Sequence, residues 1–252
     1  GVFQPIRPAG ADPAGRGADR QMEVKRGVFY GVSVGPGDPE LLTLKALRVL
    51  EACSVIAAPQ TGSGDTLAMD IVRQAVSLEG KPLLPLPFTM AQDPALRQEA
   101  HQRAAWEIEN FLAAGRDVAM LNLGDVSIYA TYGYLQKLLK ARGYQTEMIP
   151  GVSSFCAAAA RLGVDLVQGD EPLHLIPGHS GPVEEALALP GTKVLMKSGR
   201  QFPKAVRALE RAGLAERASL VRNCGLPDEA VFHGASQFPE APGYFATIIV
   251  KG

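Results

Sequence analysis

Three glycine-containing turns, each between a predicted strand and a predicted helix, constrain the fold of this chain most strongly. They are Gly35-Pro36-Gly37-Asp38-Pro39, Leu123-Gly124-Asp125 and Pro150-Gly151-Val152-Ser153-Ser154. Strands that alternate with helices in this way predict an α/β fold built in layers. Open α/β sheets bind ligands at the carboxyl ends of their strands, where these turns lie. We therefore expect the three turns to line one cleft.

The alternation of strands and helices continues through the second half of the chain. Of the 252 residues, we assign 27–146 to an amino-terminal α/β domain and 147–252 to a carboxyl-terminal α/β domain. Residues 1–26 are rich in Gly, Ala, Pro, Arg and Asp and have little apolar periodicity. That composition predicts a flexible leader.

The charge balance argues against two classes of partner. Lys and Arg number 25 against 26 Asp and Glu, which gives a net charge of -1. A nearly neutral chain has no general attraction to nucleic acid or to an anionic membrane surface. No apolar run approaches the ~20 residues that span a bilayer. We expect neither nucleic acid nor membrane as a partner.

Neither the cysteines nor the histidines suggest a metal centre. Cys53, Cys156 and Cys224 are far apart and odd in number, which fits neither a disulfide framework nor a zinc cluster. The four histidines are His101, His174, His179 and His233, and they lack metal-ligand spacing. We therefore expect no protein-bound metal and a reducing, cytoplasmic location.

The first turn differs from the known phosphate-binding motifs. It lacks the third glycine of the dinucleotide fingerprint, and it carries Asp38 where a phosphate-binding loop would have a lysine. An exposed backbone without a neighbouring cation suits a cofactor that carries no phosphate. A purely structural tight turn fits the same residues equally well. In the other two turns, Asp125 or Ser153 could simply cap the following helix.

In this order the three motifs resemble the tetrapyrrole methylase family, whose members transfer methyl groups from S-adenosylmethionine to carbons of porphyrin-like rings. The resemblance runs from about Phe29 to Lys251 and leaves out only the leader. It is strongest to the members that methylate C-20 of cobalt-factor II or precorrin-2 in cobalamin biosynthesis. Val194-Leu195-Met196-Lys197 and residues 244–250 support that subgroup. The chain departs from the pattern at Val126, where relatives often carry proline.

The resemblance implies a fold and a set of contacts. Family members have two α/β domains with S-adenosylmethionine bound in the cleft between them, and they are usually homodimers. Carried over motif by motif, the residues that contact the cofactor are Pro36, Leu123, Gly124, Asp125, Ile128, Tyr129, Ser153, Ser154 and Met196.

The implied substrate, a tetrapyrrole with many carboxylates, requires cationic side chains. Lys197 and Arg200 directly follow the strand that ends at Met196, and we expect them to bind the ring, with Arg222 as a further candidate. Lys204 and Arg207 fit a solvated helix face better. The sulfonium of the cofactor is already electrophilic, so positioning is the main task of the protein. The sequence shows no Ser-His-Asp or Cys-His arrangement, and it does not identify a catalytic residue or a general base.

Two other functions remain open from the sequence. A member of the same family could methylate another ring position, as in the methylation of uroporphyrinogen III. A protein of a different class could bind a nucleotide through the same turns without any methyl transfer. Binding of S-adenosylhomocysteine, compared with NAD and ATP, separates the second possibility from a methyltransferase.

Overall fold

The computed structural model describes residues 25–60, 67–89, 93–178, 183–243 and 245–252. Most of the predicted leader therefore lies outside the described residues, as do His179 and Tyr244. Within these ranges no helix is both long enough and apolar enough to cross a membrane.

The first sheet has five strands, all parallel. They are β1 (Val28–Ser33), β2 (Val55–Gln60), β3 (Leu83–Pro87), β4 (Val118–Asn122) and β5 (Gln145–Ile149). Their order is β3-β2-β4-β1-β5, so β4 and β5 flank β1. The three glycine turns follow β1, β4 and β5, which are adjacent in the sheet. Because parallel strands end at the same edge, the three turns lie side by side.

Four helices cover this sheet: α1 (Leu44–Ala52), α2 (Leu67–Arg73), α3 (Pro94–Ala113) and α4 (Tyr132–Ala141). Thr43 caps α1 and Asp93 caps α3 through side-chain bonds to the first turn of each helix. Helix α4 does not extend back to Tyr129, which follows the second glycine turn. Tyr129 has a left-handed backbone (φ 50), which a right-handed helix cannot contain, and α4 begins three residues later.

The second sheet also has five strands, but they are mixed in direction. They are β6 (Leu173–Pro177), β7 (Thr192–Met196), β8 (Ala218–Arg222), β9 (Ala230–His233) and β10 (Ala246–Val250). The order is β6-β7-β10-β8-β9, and β10 runs antiparallel to both β7 and β8. Strand β9 was not predicted, because it has only four residues and no clear alternation.

Three helices pack on the second sheet: α5 (Ser154–Leu162), α6 (Val183–Leu187) and α7 (Phe202–Arg211). One face carries Phe155 and Ala158 of α5 against Val194, Val221 and Ile249. The other face carries the apolar residues of α6 and α7. The predicted domain division at residue 146 falls inside β5, which pairs with β1 of the first sheet. The division of the chain into two domains stays a prediction.

Candidate functional site

The first two turns are joined directly through their backbones. The N–H of Gly124 donates to the carbonyl of Gly35 at 2.8 Å, and the N–H of Gly35 donates back to Gly124 at 3.2 Å. Both glycines have positive φ angles, 75° at Gly35 and 66° at Gly124. Other residues rarely adopt this conformation, so glycine is needed here for the paired turns to form.

Asp125 connects the second turn to the third. One of its carboxylate oxygens accepts from the N–H of Gly151 at 2.8 Å, and Ser33 Oγ also lies 3.5 Å from it. The other oxygen accepts from the N–H of Ser127 at 2.9 Å and from its hydroxyl. Burial raises the pKa of Asp125, but these hydrogen bonds outweigh burial and hold its pKa below the usual value. Asp125 is therefore an ionised acceptor that holds the turns together.

Ser33 is part of this network, and sequence reasoning missed it. It is buried at the end of β1, and its hydroxyl accepts from the N–H of Val126 at 2.8 Å. A Cβ on Gly151 would lie 2.5 Å from Ser33 Cβ, so the third turn passes against the end of β1. The sequence did contain one indication of this role, because Ser33 is a polar residue at the end of an otherwise apolar strand. Val126 itself is buried, and the turn forms without the proline that relatives often carry.

The third turn leads into α5, as predicted. Ser153 is the N-cap of this helix and accepts from the N–H of Cys156. Ser154 is its first residue, and the first N–H groups of a helix have no partner within it. A Cβ on Gly124 would lie 3.5 Å from the backbone nitrogen of Ser154. The α-carbon of Gly124 thus faces the start of α5.

The second sheet meets these turns along one edge. A Cβ on Gly37 would lie 2.5 Å from the carbonyl oxygen of Cys224, and one on Gly225 would lie 2.6 Å from the backbone nitrogen of Asp38. Ile128, from the segment after β4, packs against the same apolar cluster as Met196 at the end of β7. Backbone therefore touches backbone where the first turn meets residues 223–226.

Tyr129 and Lys197 form a second contact between the segments that follow β4 and β7. The amine of Lys197 lies 5.2 Å from the centre of the Tyr129 ring. Both residues have left-handed backbones, with φ 50 and φ 54. Desolvation lowers the pKa of Lys197 and raises that of Tyr129. Strained backbones of this kind cluster at functional sites.

The remaining predicted residues differ in exposure. Pro36 is buried in the first turn, and Leu123 is partly buried beside Gly124. Arg200 is exposed in a short 3-10 turn, Gly199–Gln201, directly before α7. A cavity of about 290 Å³ lies where the first turn, α5 and residues 223–226 come together. Its lining includes Asp38, Leu41, Val152, Cys156 and Cys224.

The chemistry of the turns suits a ligand without phosphate. Residues 35–39, 123–129 and 150–154 contain no Lys or Arg. They offer backbone groups, hydroxyls and the two carboxylates of Asp38 and Asp125, which would repel a phosphate. Among the described residues no group of three or more His, Cys, Asp or Glu is placed to hold a metal ion. His174 bonds to the carbonyl of Pro190, and His101 stacks on Tyr134.

The chain is similar to one protein family over most of its length. Residues 28–237 match the family model described as Tetrapyrrole (Corrin/Porphyrin) Methylases. The chain is 32% identical to a precorrin-2 C(20)-methyltransferase from Sinorhizobium sp, over 90% of this chain and 96% of the relative. It is 34% identical to a probable cobalt-precorrin-2 C(20)-methyltransferase from Methanocaldococcus jannaschii, over 88% of this chain and 95% of the relative.

A solved structure has the same fold. It is a uroporphyrin-III C-methyl transferase from Thermus thermophilus, complexed with S-adenosylhomocysteine. The TM-score is 0.66 at 22% identity, and the match covers 89% of this chain and 97% of the other. At this identity the similarity establishes the fold alone. The predicted mixed α/β architecture of the tetrapyrrole methylases is thereby confirmed.

Proposed function

The chain belongs to the tetrapyrrole methylase family, and we propose that it transfers a methyl group from S-adenosylmethionine to C-20 of a precorrin-2 or cobalt-factor II ring in cobalamin biosynthesis. The observation that carries this proposal is the similarity over most of the chain to two relatives that are both named as C-20 methyltransferases. Methylation of uroporphyrinogen III is not favoured by these relatives.

The turns support S-adenosylmethionine as the methyl donor. The cofactor carries no phosphate, which matches three turns that offer backbone groups and no cation. We propose that Pro36, Leu123, Gly124, Asp125, Ile128, Tyr129, Ser153, Ser154 and Met196 hold it. When bound, the cofactor supplies an electrophilic methyl group. The cobalt ion of cobalt-factor II would arrive as part of the substrate, and we propose no metal bound by the protein.

The residues of the chain act in this proposal by fixing geometry. Asp125 holds the second and third turns together, and the Gly35–Gly124 pair fixes the first turn against the second. Correct alignment of two reactants can supply several kcal/mol of the barrier, roughly 7–11 in favourable cases. Apolar contacts of Ile128 and Met196 keep this region packed. No side chain of the site is assigned a chemical step.

Lys197 and Arg200 are proposed to bind carboxylates of the ring. Both directly follow β7, whose last residue is Met196, so they lie beside the proposed cofactor site. Charge-assisted bonds from guanidinium or ammonium to carboxylate contribute roughly 1.5–3 kcal/mol each. The contact between Lys197 and Tyr129 would orient the amine before the ring binds.

We also propose that the chain forms a homodimer in the cytoplasm. Trp106 on α3 is 61% exposed and Tyr134 on α4 is 58% exposed, and aromatic side chains are enriched at protein–protein interfaces. Cys53, Cys156 and Cys224 are all free thiols, which is usual in a reducing compartment. Light scattering coupled to size exclusion measures the assembly, and a monomer at micromolar concentration would contradict the homodimer.

Two experiments test the proposed function. Isothermal titration with S-adenosylhomocysteine, NAD and ATP tests the cofactor, and a nucleotide-binding module would prefer NAD or ATP. At about 100 times its Kd, S-adenosylhomocysteine should stabilise the fold by roughly 2.7 kcal/mol.

Mass spectrometry of reactions with precorrin-2, cobalt-factor II and uroporphyrinogen III tests the substrate. We expect one added methyl group on one of the first two rings, and methylation of uroporphyrinogen III alone would overturn the proposal.

A further inference from the structure

Arg222 is the last residue of β8, and its side chain has an unusual environment. Its Nε is buried and is the one such side-chain nitrogen or oxygen in the described part of the chain that lacks a hydrogen-bond partner. Buried polar atoms in folded proteins nearly always have a partner. An unpaired nitrogen of a charged group is costlier still, because its desolvation is not offset. The position therefore suggests a partner that comes from outside the chain.

The neighbours of Arg222 on the sheet cannot supply that partner. The residues directly opposite it are Ala230 on β9 and Ala246 on β10. Directly opposite residues have Cβ atoms about 5 Å apart, and alanine has no atom beyond Cβ. Side chains alternate along a strand, so Arg222 shares its face with Leu220, which packs in the core under α6 and α7.

The two acidic residues that follow β8 bond to groups other than Arg222. Asp228 accepts from the side-chain amide of Asn223 at 2.7 Å. Glu229 accepts from the N–H of Gly225 at 2.8 Å and forms an ion pair with Arg161. Asn223 has a left-handed backbone (φ 50), so the chain leaves the direction of β8 directly after Arg222.

The end of β8 also lies at the edge that meets the glycine turns. Strands β7 and β8 run in the same direction, because both are antiparallel to β10. Their last residues, Met196 and Arg222, are therefore at the same edge of the sheet. The turn that follows Arg222 touches the first glycine turn through Gly225 and Asp38.

We infer that Arg222 binds a carboxylate of a molecule held in this cleft, through Nε and one Nη in the side-on, two-bond geometry of guanidinium pairs. The inference rests on the proposed function, which offers two carriers of that carboxylate. One is the methionine moiety of the cofactor, and the other is an acidic side chain of the ring. Arg222 is not one of the proposed cofactor contacts, and the sequence named it only as a further candidate for binding the ring beside Lys197 and Arg200.

Two variants of Arg222 and one matched control test this inference. Arg222→Met keeps an unbranched, mostly apolar stem as far as the position of Nε and removes the charge, and Arg222→Lys keeps the charge but loses the two-bond geometry. Arg217→Met is the control, because Arg217 lies directly before the first residue of β8, at the end of the strand opposite to Arg222. For each protein we would measure Tm without ligand, the Kd of S-adenosylhomocysteine and of methylthioadenosine, and KM for the ring.

If the cofactor supplies the carboxylate, both Arg222 variants weaken S-adenosylhomocysteine about 10-fold or more. Methylthioadenosine lacks the amino-acid part of the cofactor, so it should then bind to the Arg222 variants as tightly as it binds to the wild type. If the ring supplies it, KM rises about 10-fold or more and both Kd values stay unchanged. Either result supports the inference, provided that Tm of the ligand-free Arg222→Met protein matches or exceeds that of Arg217→Met.

Unchanged Kd and KM values in both Arg222 variants would overturn the inference while leaving the proposed function intact. A clear loss of Tm in ligand-free Arg222→Met would overturn it too, because Arg222 would then support the fold. A wild-type protein that fails to bind S-adenosylhomocysteine would instead contradict the proposed function, and this inference with it.

Discussion

The carboxylate of Asp125 accepts a hydrogen bond of 2.8 Å from the backbone N–H of Gly151, and this bond ties the turn after β4 to the turn after β5. The two strands are not neighbours, because β1 lies between them. Ser33 at the end of β1 lies next to the same carboxylate oxygen. One side chain thus holds together the ends of three adjacent strands.

Asp125→Asn should disturb this arrangement without changing the size of the side chain. Asp125 accepts hydrogen bonds on both oxygens, whereas an amide has only one oxygen to accept with. We expect a loss of roughly 1–3 kcal/mol in the free energy of unfolding and an S-adenosylhomocysteine Kd about 10-fold higher. Chemical denaturation and isothermal titration measure the two effects.

Asp117→Asn is the matched control for this variant. Asp117 accepts from the N–H of Val28 at 2.7 Å through one oxygen, at the opposite edge of the sheet. An asparagine can keep that bond, so stability and cofactor affinity should both stay near the wild-type values. Equal cofactor affinity in the Asp125 and Asp117 variants would show that the three-turn arrangement is not needed for binding.

The stability that Asp125 provides should depend on pH in a defined direction. Its folded pKa is lowered, so its contribution is fully present above the unfolded pKa of about 3.9 and is lost as the pH falls through the folded value. The difference in unfolding free energy between wild type and Asp125→Asn should be constant from about pH 8 to pH 5 and shrink below about pH 4. A difference that grows on acidification would contradict the assignment of an ionised carboxylate.

Gly225→Ala should separate the two sheets where they touch. An alanine Cβ there would lie 2.6 Å from the backbone nitrogen of Asp38, so the first turn would have to move. Gly213→Ala is the control, because Gly213 is also left-handed (φ 69) but has no atom within 4 Å of the added Cβ. Both variants should lose ~1–2 kcal/mol from backbone strain.

The two glycine variants should differ in cofactor binding. We expect Gly225→Ala to bind S-adenosylhomocysteine at least several-fold more weakly, whereas Gly213→Ala should bind it as the wild type does. Isothermal titration measures the Kd of each variant, under conditions where the same fraction of each protein is folded. Equal affinity in both would mean that the contact between residues 223–226 and the first turn does not shape the site.

Arg200→Ala should impair binding of the ring and leave the cofactor unaffected. Arg200 is exposed next to the proposed site, so loss of its bond to a carboxylate should raise KM for the ring about 10-fold. The effect should shrink at high salt, which screens exposed charges. Lys204→Ala, on the exposed face of α7, is the control and should leave KM unchanged. An unchanged KM with a much reduced kcat would instead place Arg200 in transition-state stabilisation.

Much of the fold could be predicted because local patterns determined it. The apolar residues 118–121 of β4 are all buried, and Asp93 and Ser153 cap α3 and α5 through local side-chain bonds. Such features need no knowledge of distant residues. The sequence also predicted correctly that the three turns would come together, since parallel strands end at one edge.

Other features depend on contacts between residues far apart in the chain. The insertion of β10 between β7 and β8 is fixed by tertiary packing, and no local pattern indicates it. The same holds for Gly37 and Gly225. A side chain at Gly37 would meet the carbonyl of Cys224, next to Gly225, and a side chain at Gly225 would meet the backbone nitrogen of Asp38, next to Gly37. Tyr129 and Lys197 adopt left-handed backbones that their residue types disfavour, so only the surrounding structure can impose them.

The position of the transferred methyl group tests the central claim most directly. Wild-type protein would be incubated with S-adenosylmethionine carrying an isotope-labelled methyl group, and with precorrin-2 and cobalt-factor II in separate reactions. Nuclear magnetic resonance of the purified product would then locate the label on the ring. We predict that the label lies on C-20. A label at another carbon, or no labelled ring from either substrate, would contradict the function proposed for this chain.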